Sequence, residues 1–414
     1  MALGVYDVDT EQIIFLMKLE NVLKPKRILL IITDYGSFNN FLSELVMQLV
    51  RTGNEVHVIC SNLKVINVDD KYAYQDYGIV FHYIEFPRSF NILKQYTTSK
   101  KIHKEVKSIS PDLINIHFTT GIFTTVFSAK LPYFTVGTIH GLGYPVIKSI
   151  IKRKVFEMVE KFCFRRLDQI YLLNEVDYKL VKEIHPDKTF RYKCFGVGND
   201  LDKFDPFKLS EQTGRALRKK LLIKQEDFVL AYCGRFTSFK GFDKVIKAFN
   251  SLTNQYKLPN VKLIIIGGED PIHPTGLNEK DNIAYRRNGN IIKIDFTSDL
   301  NLYLAISDVF IFPSAKEGMP VCIMEALSMG IPVVTLNSRG CNDLIKHNFN
   351  GLLIEDKPGI SELREAILKL YRNPNLLKSL SGNALASRNQ YSRYNYVEEQ
   401  MMAYNFNNMA TTHY

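Results

Sequence analysis

The chain has 414 residues, 46% of them apolar, enough to bury a large core and too many for one ordinary domain, so two domains are expected. Its 53 Lys+Arg against 43 Asp+Glu leave a net charge of +10, a bias that nucleic acid, nucleotide substrates or an anionic membrane would each satisfy. The six cysteines (Cys60, Cys163, Cys194, Cys233, Cys322, Cys341) lie too far apart for a zinc site or a disulfide framework, which points to a reducing cytoplasm.

The first residues are acidic (Asp7, Asp9, Glu11) where a signal peptide would be basic, and the apolar run at 13–17 is far too short to span a bilayer. A soluble or peripheral protein is expected. Residues 1–25 form an extra segment with no assigned role.

From residue 26 short apolar runs alternate with amphipathic stretches. The runs fall at 27–33, 55–60, 79–84, 112–117, 133–139 and 169–173, a pattern that predicts βαβ units and a parallel sheet. A second series, at 228–233, 261–266, 291–294, 308–312 and 332–335, predicts a second sheet of the same kind. Residues 196–206, rich in Gly, Asp and Pro, break both periodicities and read as a linker, with the boundary near residue 200. The expected domains are therefore 1–200 and 201–385, followed by helices over 386–414 that pack back on the first domain.

Residues 148–166 hold seven basic and two acidic residues among Ile150, Ile151, Val155, Phe156, Val159 and Phe162. That is a basic amphipathic helix, suited either to an anionic bilayer surface or to an ordinary place with its apolar face in the core.

The strand at 228–233 ends in Gly234, which sets Arg235 and Lys240 on the connection into the next helix. Ligands of open α/β sheets sit beyond the carboxyl ends of strands. An Arg fork and a Lys point charge there would stabilise a diphosphate whose charge builds as its bond to a sugar breaks, with no metal required. Two solvated loop residues would look the same in isolation. Further on, Glu317 follows the strand at 308–312, Pro320 suits a first helical turn, and the N–H groups of Val321 and Cys322 would face an anion with help from the helix dipole. Glu325, one and a half turns into that helix, is placed to accept hydrogen bonds from vicinal ribose hydroxyls, and Glu317 to do so for a transferred sugar. Two Glu residues eight apart are a weak signal alone; joined to Glu-Gly-x-Pro after a buried strand they become a strong one.

These paired motifs, Gly-Arg-Phe with Lys-Gly at 234–241 and Glu-x7-Glu at 317–325, resemble the family 4 glycosyltransferases of the GT-B fold, which are retaining enzymes using nucleotide sugars. The resemblance runs from residue 26 over nearly the whole chain. It implies an α/β fold of two Rossmann-like parallel-sheet domains facing a cleft. It implies Arg235, Lys240, Glu317 and His140 as catalytic residues, and Gly36, Gly234, Gly318, Met319, Pro320, Val321, Cys322 and Glu325 as substrate-binding residues, with no cofactor. His140 follows a strand in Thr138-Ile-His-Gly-Leu-Gly143 and would face the cleft; a histidine capping a strand end is the structural alternative. Together with Arg-Gly-Cys-Asn-Asp at 339–343, that motif is similar to bacterial transferases for capsule and O-antigen on polyprenyl-diphosphate carriers. The resemblance implies a nucleotide-diphosphate sugar donor, a glycan or lipid-linked acceptor, and a place in the cytoplasm or at the inner face of the membrane.

Two departures stand out: Asp34-Tyr-Gly-Ser-Phe replaces a Gly-Gly pair in the first loop, and 294–300 lacks a glycine common in the family. Asp7-Val-Asp9 and Asp200-Leu-Asp202 match the metal motif of the other major transferase fold, but neither follows a strand of a sheet, so both read as structural. The alternatives are an epimerase on the same architecture, a phosphorylase, for which no pyridoxal site is visible, and a non-catalytic anion- or nucleic-acid-binding protein. The chain has no recognisable nucleic-acid module.

Overall fold

A computed structural model describes residues 25–63, 69–87, 91–147, 149–355 and 360–405. The extra N-terminal segment up to residue 24, with Asp7-Val-Asp9, therefore lies outside the described residues, as does Lys148 at the head of the basic stretch.

Thirteen strands among the described residues form two sheets. The first contains β1 (Arg27–Asp34), β2 (Glu55–Ser61), β3 (Val80–Tyr83), β4 (Leu113–His117), β5 (Thr135–Ile139), β6 (Gln169–Leu172) and β7 (Thr189–Arg191), in the order β3-β2-β1-β4-β5-β6-β7. The second contains β8 (Phe228–Cys233), β9 (Val261–Ile266), β10 (Ile291–Ile294), β11 (Val309–Phe312), β12 (Val333–Leu336) and β13 (Gly351–Ile354), in the order β10-β9-β8-β11-β12-β13. Every pairing is parallel. Strands such as Leu-Ile-Asn-Ile-His in β4 and Val-Phe-Ile-Phe in β11 are buried throughout, because helices cover both faces of each sheet.

The helices on the first sheet are α1 (Tyr35–Phe41), α2 (Ser43–Arg51), α3 (Ile92–Ile109), α4 (Thr119–Val126), α5 (Ile150–Arg165) and α6 (Glu175–Lys182). Those of the second half are α7 (Glu211–Lys220), α8 (Phe242–Asn254), α9 (Glu279–Arg287), α10 (Leu300–Ala305), α11 (Val321–Ser328), α12 (Cys341–Leu344), α13 (Ile360–Arg372), α14 (Pro374–Ala386) and α15 (Arg393–Asn405). Short polar caps start several of them: Asp34, Asn91 and Asn174 each accept a backbone N–H three residues on.

Both sheets present the carboxyl ends of their strands to a shared cleft, with the first lobe on one side and the second on the other. The chain crosses between lobes twice, and the two crossings run side by side. Asn199 on the first pairs in parallel with Ser392 on the second; its N–H donates to Tyr391 O at 2.8 Å, and its carbonyl accepts from Arg393 N at 2.9 Å. Gly198 makes this contact possible: at φ 62° a side chain is disfavoured, and a Cβ would sit 2.6 Å from Arg393 Cα.

After the second crossing α15 joins the first lobe. Val397, Ala403 and Tyr404 belong to the same core as Ile28, Leu30 and Val56. The Tyr404 hydroxyl accepts from Asn115 Nδ2 at 2.5 Å, and its carbonyl accepts from Lys26 Nζ at 3.1 Å.

The basic amphipathic stretch forms α5 but does not lie flat on the lobe. Its C-terminal half is anchored through buried Glu160, Cys163 and Phe164, while Ile150 (63%), Ile151 (78%), Val155 (43%) and Met158 (66%) stand exposed beside Lys152, Arg153 and Lys154. The reading in which this apolar face packs into the core fails for the first two turns.

Candidate active site

The second lobe builds its wall from two connections. Beyond β8, Gly234 leads through Arg235 to a short 3-10 turn, Ser238–Lys240, and Gly241 opens α8. Gly241 has φ 76° and lies against the Pro313 carbonyl, which a Cβ would meet at 2.2 Å. This close approach sets the β8 and β11 connections beside each other. Lys240 Nζ then reaches Glu317 Oε1 at 2.5 Å, both side chains mostly buried. Ser314 Oγ donates to the same oxygen at 2.7 Å. Arg339 Nε donates to Glu317 O at 2.9 Å, so backbone and side chain of Glu317 are both fixed.

Arg235 is more open, 55% exposed, and donates to Asp270 Oδ2 at 2.5 Å, with its guanidinium over the Phe239 ring at 5.3 Å. The Ile272 amide, then Arg235 and His273, hold the Asp270 carboxyl well below the usual carboxylate range.

The α11 helix starts at Val321 behind Pro320, and its first N–H groups, including those of Val321 and Cys322, have no helical acceptor. Glu325 on this helix is hydrogen-bonded to no described side chain. Burial pushes its carboxyl up to about 7, against the opposing pull of Arg393, Lys203 and Lys71.

On the opposite wall, His140 directly follows β5 and lies against Phe118 (4.3 Å between ring centres) and Phe41 (5.5 Å). Its Nε2 is 3.1 Å from His117 Nδ1. Burial lowers its pKa to about 3, so the ring is neutral at physiological pH and a weak proton acceptor. Position favours the cleft-facing reading of His140, while its contacts with His117 and Phe118 also give it the structural part.

The two walls touch. Gly318 lies so close to the His140 carbonyl that a Cβ on it would come within 1.4 Å of the oxygen. Arg339 Nη1 crosses the gap to Leu142 O at 2.9 Å and to the fully buried Asp177 Oδ1 at 2.8 Å, while Asp177 Oδ2 accepts from Leu142 N and Asn174 Nδ2. Above this seam is a cavity of about 450 Å³ lined by Thr33, Ser37, Thr119, Thr120 and His140 from one lobe and Lys316, Glu317, Gly318 and Arg339 from the other.

Of the expected residues, His140, Glu317 and Gly318 thus line one cavity, with Lys240 bound to Glu317 behind it. Val321 and Cys322 stand at the amino end of α11, and Gly234 directly follows β8. One expectation of placement is corrected. Gly36 is not in a loop: Asp34 caps α1 immediately after β1, and the Gly36 N–H donates to Leu63 O at 3.3 Å, so it is engaged rather than offered to a phosphate. Met319 and Pro320 have buried side chains, Met319 against Gly196 of the interlobe crossing, and these anchor the turn that leads into α11. Arg339, Asp177, Thr119 and Thr120 were not assigned by sequence reasoning. Arg339 lay within a motif already noticed, and an Arg flanked by glycine after a predicted strand was the available signal.

This fold, two facing Rossmann-like lobes with a return helix, is the GT-B architecture. Solved structures share it: Anabaena HepE in complex with UDP superposes with a TM-score of 0.73 at 16% identity, over 92% of this chain and 100% of that one. WaaG, a glycosyltransferase involved in lipopolysaccharide biosynthesis, gives 0.71 at 16% identity over 90% and 98%.

Within that architecture the chain belongs to the family 4-like glycosyltransferases: residues 27–174 match the family described as glycosyl transferase 4-like, and residues 214–386 match glycosyl transferases group 1. Among its relatives is the Escherichia coli UDP-Gal:alpha-D-GlcNAc-diphosphoundecaprenol alpha-1,3-galactosyltransferase, 26% identical over 65% of this chain and 68% of that one. The Campylobacter jejuni N,N'-diacetylbacillosaminyl-diphospho-undecaprenol alpha-1,3-N-acetylgalactosaminyltransferase is 25% identical over 86% and 92%. The Staphylococcus aureus capsular polysaccharide biosynthesis glycosyltransferase CapM is 25% identical over 85% and 90%. The epimerase alternative finds no support among them.

Proposed function

We propose that this glycosyltransferase moves a hexose or N-acetylhexosamine from a UDP-sugar to a glycan on a polyprenyl-diphosphate carrier during synthesis of a bacterial surface polysaccharide, with retained anomeric configuration and no metal. The observation that carries the reading is the cavity in which Glu317 and Gly318 of one lobe face His140 of the other, with Lys240 held against Glu317. The names of the Escherichia coli and Campylobacter jejuni relatives supply the acceptor class.

In this reading the donor diphosphate takes Arg235, Lys240 and the amino end of α11, which supply the charge a cation would otherwise bring. Its arrival exchanges the Asp270 and Glu317 partners of the two cations for phosphate oxygens. Glu325 takes the ribose hydroxyls. Glu317, released from Lys240, and the neutral His140 take sugar hydroxyls, one accepting and the other donating or accepting according to tautomer. As the bond to the leaving phosphate stretches, the phosphate oxygen accepts the proton of the incoming acceptor hydroxyl on the same face. The alpha linkage in both relatives' names accords with that outcome for an alpha-linked donor.

No helix among the described residues is long and apolar enough to cross a membrane. The exposed apolar and basic turns of α5 support peripheral contact with an anionic bilayer on the cytoplasmic side. The test is incubation with UDP-, GDP- and ADP-sugars and a polyprenyl-diphosphate-linked N-acetylhexosamine, following nucleotide release and product anomer by NMR. UDP release with an alpha product supports the reading; a beta product, or no release with any UDP-sugar, refutes it.

A further inference from the structure

Beside the cleft, a second cavity of about 200 Å³ lies between α3, α4 and α5, and Thr119 and Thr120 line both spaces. One wall carries Phe123, Phe156 and Val159. The opposite base is polar, with Thr124 Oγ1 donating to Gln95 Oε1 at 2.8 Å.

Glu160 is the unusual member. The residue is 5% exposed, its Oε1 accepts from Gly143 N at 2.8 Å, the Tyr144 backbone N–H also bonds the carboxyl, and its Oε2 has no partner of hydrogen-bond geometry among the described residues. A buried carboxyl oxygen left unpaired is costly, so a site keeps one where an occupant supplies the missing donor. Hydrocarbon has no such donor, which argues against a lipid chain as the occupant. A sugar ring has hydroxyls for the carboxylate and an apolar C–H face for the phenyl rings.

We propose that this groove is an acceptor subsite that holds a sugar ring next to the one receiving transfer, with Glu160 Oε2 accepting a hydroxyl or acetamido N–H and Phe123 and Phe156 covering the apolar face. The inference rests on the transferase reading for its purpose, not for the existence of the site. Because Glu160 also holds Gly143, an occupied groove steadies the His140–Gly143 loop against Gly318. An acceptor that carries a second sugar is then preferred over a single one, which the enzyme still accepts.

The test uses the full chain and a panel of methyl glycosides of glucose, galactose, N-acetylglucosamine and N-acetylgalactosamine with their alpha- and beta-linked dimers, read by saturation-transfer NMR. A dimer is expected to bind about tenfold more tightly than its monomer. Val159→Trp, which fills the groove, and Glu160→Gln, which keeps an acceptor for Gly143, each abolish that preference relative to UDP affinity on the same sample. Farnesyl diphosphate is the competing probe: its displacement by Val159→Trp, with dimer binding unaltered, assigns the groove to lipid and overturns the proposal. Wild-type dimer preference in both variants, or no saccharide binding by the wild type, also overturns it. If dimers bind as described but no nucleotide sugar is turned over, the subsite stands and the transferase reading falls.

Discussion

Gly318→Ala tests the seam on which the site depends. The Gly318 φ lies outside the left-handed region, so alanine meets no intrinsic backbone strain and the effect is one of space alone. The new Cβ would lie 1.4 Å from the His140 carbonyl oxygen and 2.5 Å from its carbon. Carbon and carbonyl oxygen settle no closer than about 3.3 Å, so the two loops must part by about 2 Å. That displacement carries Arg339 out of hydrogen-bond range of Leu142 O, now 2.9 Å away, and loosens its pairing with Asp177. A 1 Å error in positioning reacting groups can cost about a hundredfold in rate, so turnover should fall by at least that factor while UDP affinity, which the proposed reading assigns to the second lobe, changes little. The assay is nucleotide release at saturating donor, with the melting temperature followed by circular dichroism to show that the chain is folded. A Gly318→Ala enzyme with normal turnover and wild-type melting would show that the closed seam is not the working geometry.

Arg235→Ala should lower turnover by about two to three orders of magnitude, as expected when one group stabilising transition-state charge is lost; steady-state kinetics with unchanged turnover would remove that role. Asp177→Ala leaves Arg339 facing a void where a buried partner stood, and should cost about 3–5 kcal/mol, read from the urea midpoint. Glu325→Gln should weaken UDP about tenfold by calorimetry. The same substitution has a pH signature. Burial raises the Glu325 carboxyl from 4.5 to about 7, so the folded chain holds that proton more tightly than the unfolded one. Its contribution is constant below about pH 4.5, stability falls from there to about pH 7, and the loss is complete above. Glu325→Gln should remove that share of the fall, while the similarly raised Glu160 keeps its own.

Eleven strands were legible: most are buried on both faces and read as unbroken apolar runs, and the partly exposed edge strands β3 and β10 keep enough apolar residues to be seen. The two that were not, β7 and β13, are short: Thr-Phe-Arg has one apolar residue, and Gly-Leu-Leu-Ile opens on a residue that ordinarily breaks a strand. Lys240 and Glu317 were legible as separate motif members, but their pairing was not, since it depends on Gly241 resting on Pro313. The engagement of Gly36 was hidden for a similar reason: Asp34 caps a helix there, and a lone Gly after a strand reads equally well as a loop. In α5 the pattern gave the helix but not which of its faces the lobe would cover, because only the neighbouring elements decide that. Arg339 needed the opposite lobe to be in view before its purpose could be recognised.

The paired crossings at Asn199 and Ser392 have a mechanical consequence. One tether alone would let the lobes swivel in any direction, whereas two strands laced together at a single rung act as a door hinge with one axis. Met319, next to Gly318, rests on Gly196 of the first crossing, so the seam lies close to this axis, and a rotation about it would widen the outer cleft while Gly198 and Arg393 stay in contact and the core that α15 completes stays whole.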